Sequence, residues 1–159
     1  MLITHLIHHI TTTHSTNLPQ VIVGLDARGF LLGPIIAMRL GASFVPVRKG
    51  GKLPGQCEVV KYEKEYGFDS FEMQSEAIQS GQRCIVIEYV FRLSAIGRNV
   101  DLIFISDLIA TGGSAAAAGQ LIAKAGGKTL EYLFIVGLPF LKGEEKLDAP
   151  AYSMIQAED

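Results

Sequence analysis

The chain has 159 residues, 48% of them hydrophobic and 19% charged, which suits one compact globular domain. A formal net charge of -2 leaves no basic footprint, so nucleic acid is not the expected partner, and an anionic ligand has to be held by local clusters of cations. No apolar run approaches the roughly 20 residues of a membrane span. The two cysteines, Cys57 and Cys84, have no CxxC or secretory context, which fits reduced thiols in a cytoplasmic protein.

Met1 to Gln20 is rich in Thr and His and shows no clean period, so it reads as an atypical, disordered segment. It lacks a basic n-region and makes a poor signal peptide. His5, His8 and His9 come with no carboxylate, cysteine or rigid frame in that segment, so solvated histidines are favoured over a metal cluster. Val21–Gly24 is a short apolar run, read as a buried parallel strand, and Leu31–Leu40 is a helix with Gly41 as its stop. Arg28, in the loop between them, suits a phosphate contact or an ordinary surface turn. Ser43–Val47 is a second strand. Behind it, RKGGKLPG sets Arg48, Lys49 and Lys52 on a glycine-rich loop, fit for a polyanion or for a solvated basic turn.

Gln56 to Phe71 is polar and charged without an amphipathic period and reads as a long loop, followed by a helix over 71–80 that Gly81 stops. Arg83–Glu88 (RCIVIE) has the continuous apolar character of a central parallel strand. Ala115–Ala125 is a small-residue helix, Thr129–Gly137 a further strand, LPFLKGEEKLDAP a loop, and Ala151–Ile155 a last short strand. No repeat or linker marks a second domain. The chain is thus an α/β domain over 21–159, with a mostly parallel sheet flanked by helices.

One stretch carries the chemistry. FISDLIATGGSAAAAGQ, Phe104 to Gln120, runs from an apolar strand through Asp107 into a tight loop and then a helix start. Glycines at 112 and 113 let backbone N–H groups close on an anion, the hydroxyls of Thr111 and Ser114 add donors, and the helix dipole stands behind them. Asp107 ends a strand, where an α/β sheet places groups that hold a ribose. The spacing is neither GxGxxG nor GxxxxGK[ST], and Thr-Gly-Gly-Ser by itself is also an ordinary turn.

DLIATGGSAAAAG resembles the phosphoribosyl-diphosphate (PRPP) signature of type I phosphoribosyltransferases. VIVGLDARGFLLGP (Val21–Pro34), FVPVRKGGKLPG (Phe44–Gly55) and YEKEYG (Tyr62–Gly67) resemble the adenine phosphoribosyltransferases in particular. The resemblance implies a magnesium-dependent homodimer that converts adenine and PRPP to AMP and diphosphate in purine salvage. By position it implies that Ala110, Thr111, Gly112, Gly113 and Ser114 take the 5′-phosphate, and Asp107 and Glu88 the ribose hydroxyls. Arg28, Arg48 and Lys52 would take the diphosphate, with a strained peptide falling near Asp26–Ala27. Glu65 would manage the proton of the base inside a flexible loop that includes Tyr62 and Tyr66. Magnesium would ride on PRPP rather than on protein ligands.

Two regions depart from the pattern. The segment before Val21 shows no recognisable helix or hood over the base. Tyr89–Ser106 separates Glu88 from Asp107, which the family joins directly. Glu-Tyr-Val can be written GAG TAT GTN, which holds a splice-donor-like GTATGT, and Ser106 can be AGT. Excision between them restores two adjacent Asp codons, so the insert reads as a translated intron. If it is retained, LIFIS competes with CIVIE for one place in the sheet, and could replace it. Two alternatives follow: an inactive fragment that at most binds a sugar phosphate, and a transferase for another purine base.

Overall fold

The computed structural model describes residues 1–64, 67–88, 93–94, 103–104, 112–137, 139 and 142–156, with the backbone alone at 63–64, 93–94 and 103–104. In chain order the elements are α1 (Leu2–Thr13), β1 (Val21–Leu25), α2 (Gly29–Leu40), β2 (Ser43–Lys49), β3 (Cys57–Lys64), β4 (Gly67–Gln74) and β5 (Arg83–Glu88). They continue with β6 (Leu93–Ser94), β7 (Ile103–Phe104), α3 (Gly113–Lys124), β8 (Lys128–Gly137), a 3₁₀ turn (Gly143–Lys146) and β9 (Ala151–Gln156).

Among the described residues seven strands form one sheet in the order β3-β4-β2-β1-β5-β8-β9. The run from β2 to β9 is parallel, and the hairpin β3–β4 joins it antiparallel at Arg48↔Glu72 and Lys49↔Phe71. Alternation along the parallel strands divides the core in two. Val21, Val23, Cys84, Val86, Tyr132 and Phe134 face α3 and the inner side of the hairpin. Ile22, Ile85, Ile87, Leu133 and Ile135 face α1 and α2. With both faces covered, the strands need continuous apolar sequence, which VIV and CIVI supply.

Three expectations are corrected. The first concerns the N-terminal segment, expected to be disordered: α1 is a docked helix with Leu6 and Ile10 fully buried. Leu2, Ile3, Leu6, Ile7 and Ile10 recur at helical spacing, a stripe that the intervening Thr and His obscured. His5, His9 and His14 are engaged rather than simply solvated, while His8 is exposed. His9 and His14 each donate an Nε2–H to the buried Glu131 carboxylate on β8, at 3.0 Å. His9 also stacks on Tyr152 at 3.7 Å, and His5 shares a hydrogen bond with the Tyr152 hydroxyl at 2.7 Å.

The second correction concerns 56–80, expected as a loop and then a helix. It is a β-hairpin with unbroken register from Cys57↔Gln74 to Lys64↔Gly67. Val60, Phe71 and Met73 turn into the core while Val59, Lys61 and Phe68 face outward, so the period is two rather than 3.6. The third concerns the insert. CIVIE keeps its place between β1 and β8, and among the described residues Ile103–Phe104 of LIFIS pairs with Leu93–Ser94, in a separate two-stranded ladder.

If α1 is part of the fold, Leu6→Ala and Ile10→Ala each lower the unfolding free energy by about 2–5 kcal/mol. The exposed Thr12→Ala changes it by less than about 0.5 kcal/mol. Urea titration of the three variants distinguishes this from a disordered segment, in which all three are silent.

Candidate functional site

The carboxyl ends of β1, β2 and β5 open on one edge of the sheet, together with the start of α3. Each end supplies a polar group. β1 runs into Asp26, Ala27 and Arg28, and the Asp26–Ala27 peptide is cis, at the position where the sequence resemblance placed an unusual peptide. The loop is pressed tightly against the sheet. A Cβ on Gly29 would lie 2.6 Å from the Ile87 carbonyl oxygen and 2.9 Å from Gly24, so only glycine allows this approach.

β2 ends in Arg48 and Lys49. Arg48 donates its Nε–H to Asp26 at 2.9 Å and an Nη1–H to the Lys52 carbonyl at 3.1 Å, and its guanidinium lies 6.0 Å from the Phe30 ring centroid. Asp26 in turn donates its backbone N–H to the Val47 carbonyl. Arg28 and Lys52 are exposed at this edge, and Lys49 is paired with Asp69 at 3.7 Å.

β5 ends in Glu88, 8% exposed. Ser114, in the first turn of α3, donates its hydroxyl to Glu88 Oε1 at 3.0 Å, while Oε2 is buried without a hydrogen-bond partner among the described residues. Burial pushes the Glu88 carboxyl up to about 7, against the opposing effects of the Ser114 hydroxyl and the Arg28 charge. α3 begins at Gly112, whose φ of +65° is left-handed. A Cβ there would collide with the carbonyl of Gly143, so glycine is required twice over. Ala115, Ala117, Ala118 and Gly119 let the helix sit close to the sheet, as its small residues suggested.

The structure therefore gathers Arg28, Arg48, Glu88, Gly112, Gly113 and Ser114 at one edge, with Lys52 tied to Arg48 through its own carbonyl. Asp107, Ala110, Thr111, Glu65 and Tyr66 lie outside the described residues. Tyr62 stands on β3 rather than in a loop, its ring stacked on Phe71 at 4.9 Å. Among the described residues, no group of three His, Cys, Asp or Glu side chains is placed to hold a metal ion. Sequence reasoning missed Asp26 as the partner of Arg48, and Glu72. The Glu72 carboxylate is buried on β4 and accepts the backbone N–H groups of Gly51, Lys52 and Leu53. Its one visible signal is an acidic residue between two inward apolar ones.

A parallel sheet that meets a cationic loop, a buried carboxylate and a glycine-started helix at one edge has the type I phosphoribosyltransferase fold. A crystal structure of adenine phosphoribosyltransferase from Saccharomyces cerevisiae, complexed with an imino-altritol bisphosphate and adenine, superposes with TM-score 0.81 at 42% identity, covering 96% of this chain and 77% of that one. The Trypanosoma brucei enzyme in complex with AMP, pyrophosphate and ribose-5-phosphate gives 0.72 at 25% identity, covering 97% and 64%. In sequence, adenine phosphoribosyltransferase of Yarrowia lipolytica is 48% identical over 151 residues, 95% of this chain and 73% of that protein. Adenine phosphoribosyltransferase 1 of Saccharomyces cerevisiae is 48% identical over 137 residues, 86% and 64%. No protein-family model matches the chain. The chain belongs to the adenine phosphoribosyltransferase family, and spans about two thirds to three quarters of the length of these relatives.

Glu88 makes stability pH-dependent in a defined direction. Between its ordinary 4.5 and about 7 the folded chain keeps a proton that the unfolded chain has released. Stability therefore falls as pH rises through that window, and the loss is complete above it. Urea unfolding from pH 4.5 to about 8 should show this loss, on the order of 3 kcal/mol, in the wild-type chain and not in Glu88→Gln.

Proposed function

We propose that the chain transfers the phosphoribosyl group of PRPP to adenine, releasing diphosphate and forming AMP in purine salvage. The observation that carries this is the convergence of Arg28, Arg48, Glu88 and the Gly112–Ser114 helix start on one sheet edge of this family's fold. Substitution at the anomeric carbon passes through a sugar with positive charge, so the protein must hold the attacking base nitrogen and the leaving diphosphate in line across that carbon, with the 5′-phosphate anchored.

Arg28, Arg48 and Lys52 are the cations for the diphosphate. Arg48 is pre-aimed by Asp26, so little side-chain freedom remains to be lost on binding. Gly112, Gly113 and Ser114, with Ala110 and Thr111, take the 5′-phosphate on N–H groups and the helix dipole. Glu88 and Asp107 take the ribose hydroxyls. Oε2 of Glu88, without a hydrogen-bond partner among the described residues, can accept from a ribose hydroxyl, and ionising the carboxyl beside a cationic sugar lowers the energy of that charge. Glu65 is the carboxylate for the base proton, in the Tyr62–Gly67 stretch that resembles the family's loop over PRPP.

The buried, incompletely satisfied Glu88 fits a substrate that arrives with magnesium. Glu88 would accept from the ribose hydroxyls, and magnesium carried by PRPP would supply charge neutralisation for the diphosphate. Leu31, Ile35 and Met38 lie on one exposed stripe of α2, 63%, 38% and 73% exposed, which supports a homodimer. The free thiols of Cys57 and Cys84 support a cytoplasmic location.

The test is conversion of labelled adenine to AMP with PRPP and magnesium, by this chain and by a version lacking Tyr89–Ser106. Turnover by either establishes the chemistry, and Arg48→Ala then lowers kcat/KM for PRPP by about 10–100-fold. Activity in the shortened form alone makes the insert foreign to the fold. PRPP binding without turnover in both supports the inactive-fragment reading. Turnover of hypoxanthine or guanine but not adenine reassigns the base.

A further inference from the structure

The cationic loop after β2 is organised by an anion of the protein's own. Glu72 lies opposite Arg48 in the β2–β4 ladder and is 6% exposed. Its Oε1 accepts the N–H groups of Lys52 and Leu53, both at 2.6 Å, and its Oε2 accepts that of Gly51 at 2.9 Å. Three successive backbone N–H groups curled round one centre make a nest, the arrangement that otherwise binds an external anion. Here the nest is already filled.

Two consequences follow from that occupancy. The N–H groups of 51–53 are taken, so an incoming polyanion must use side chains at this loop. The path of the loop, and with it the origin of the Lys52 side chain, is fixed by a carboxylate on another strand. Arg48 is bound into the same unit, because it donates to the Lys52 carbonyl while its Nε holds Asp26. The carboxyl is held below its ordinary range, chiefly by the Gly51 N–H, with those of Leu53 and Lys52 and the Arg48 charge adding to it against burial.

We propose that Glu72 is a positioning residue for leaving-group recognition: it fills the 51–53 nest and thereby sets Arg48 and Lys52 as a preformed receptor for a diphosphate. The inference rests on the phosphoribosyltransferase reading for the identity of the ligand, and on the hydrogen-bond geometry alone for the organisation of the loop. Glu72→Gln keeps the volume and the Oε1-type acceptor but sets an amide NH₂ against the Gly51 N–H. Glu72→Ala empties the nest.

The experiment measures three quantities in the wild-type chain, Glu72→Gln and Glu72→Ala. They are amide hydrogen exchange at Gly51, Lys52 and Leu53, affinity for inorganic diphosphate with magnesium, and the KM values for PRPP and adenine. All three amides in Glu72→Ala, and that of Gly51 in Glu72→Gln, should exchange at least about tenfold faster while those of Ile22 and Ile85 are unchanged. Diphosphate affinity should fall about tenfold, KM for PRPP should rise by a similar factor, and KM for adenine should stay within about twofold. Acetate at tens of millimolar, entering the emptied nest, should restore part of the amide protection in Glu72→Ala and none in Glu72→Gln. Unchanged amide exchange overturns the proposal, as does loosened exchange with diphosphate affinity within about twofold of wild type. If the wild-type chain binds no diphosphate while the amides still respond to Glu72, the functional reading has failed and the receptor role falls with it.

Discussion

Taking a carboxylate out of water at the end of the most enclosed strand is the constraint on which the rest of the site depends. β5 has a parallel neighbour on each side and a helical layer over each face, and Ile85, Val86 and Ile87 are buried up to the residue before Glu88. An ionised carboxylate there is disfavoured unless donors or positive charge reach it. The Ser114 hydroxyl supplies one donor and the Arg28 charge part of the compensation, which leaves one oxygen without a partner among the described residues. The tight seating of Gly29 against the Ile87 carbonyl serves the same end. It brings the Arg28 loop over the strand terminus with no side chain between them.

Acidic residues elsewhere around this edge have a different task. Asp26 and Glu72 meet neither solvent nor a ligand first; they meet cations and backbone donors of the protein itself. Asp26 aims the guanidinium of Arg48, and Glu72 fixes the backbone that carries Lys52. A cluster of positive side chains repels itself and, unsupported, spreads into water. Interleaved carboxylates hold it together without cancelling the outward-facing charge, and the burial of Glu72 and partial burial of Asp26 reduce the screening of those contacts. The edge therefore presents a shaped positive surface on a chain whose net charge is -2.

The parts of the fold legible in the sequence were those whose pattern is local. Buried parallel strands announce themselves as short apolar runs, and Val21–Gly24, Ser43–Val47, Arg83–Glu88 and Thr129–Gly137 all lie within sheet strands. Gly41 marked the end of α2 because its φ of +66° is open to few other residues. The hairpin was illegible because charged residues interrupt both of its faces, Glu58 and Asp69 on one and Lys61 and Glu72 on the other, and it reaches the sheet through two residue pairs, so its strand character comes from pairing with itself. α1 was obscured by composition: Thr and His are weak helix formers, and the burial of Leu6 and Ile10 against the sheet decides the outcome. Of the site, the glycines and cations were readable as motifs. The contacts that aim them, Arg48 to Asp26 and Glu72 to Gly51–Leu53, link residues about twenty positions apart and leave no local trace.

The separation of Glu88 from the start of α3 follows the same logic. Contact between Glu88 and Ser114 is maintained although Tyr89–Ser106 lies between them in sequence. Lengthening a connection roughly fourfold costs about 1 kcal/mol in closure entropy. Against that stands the docking of α3 by Ala115, Ala117, Ala118, Leu121 and Ile122, all buried on the sheet face that also carries Val86 and Phe134. Burying two aliphatic side chains the size of Leu121 and Ile122 alone gains about 3–6 kcal/mol. The helix is therefore placed by its own packing and not by the chain that leads into it. The left-handed Gly112, closed against the Gly143 carbonyl, fixes its first turn from the other side. An insertion between β5 and α3 thus lengthens the path to Asp107 and Thr111 without moving the frame on which a phosphate would be held.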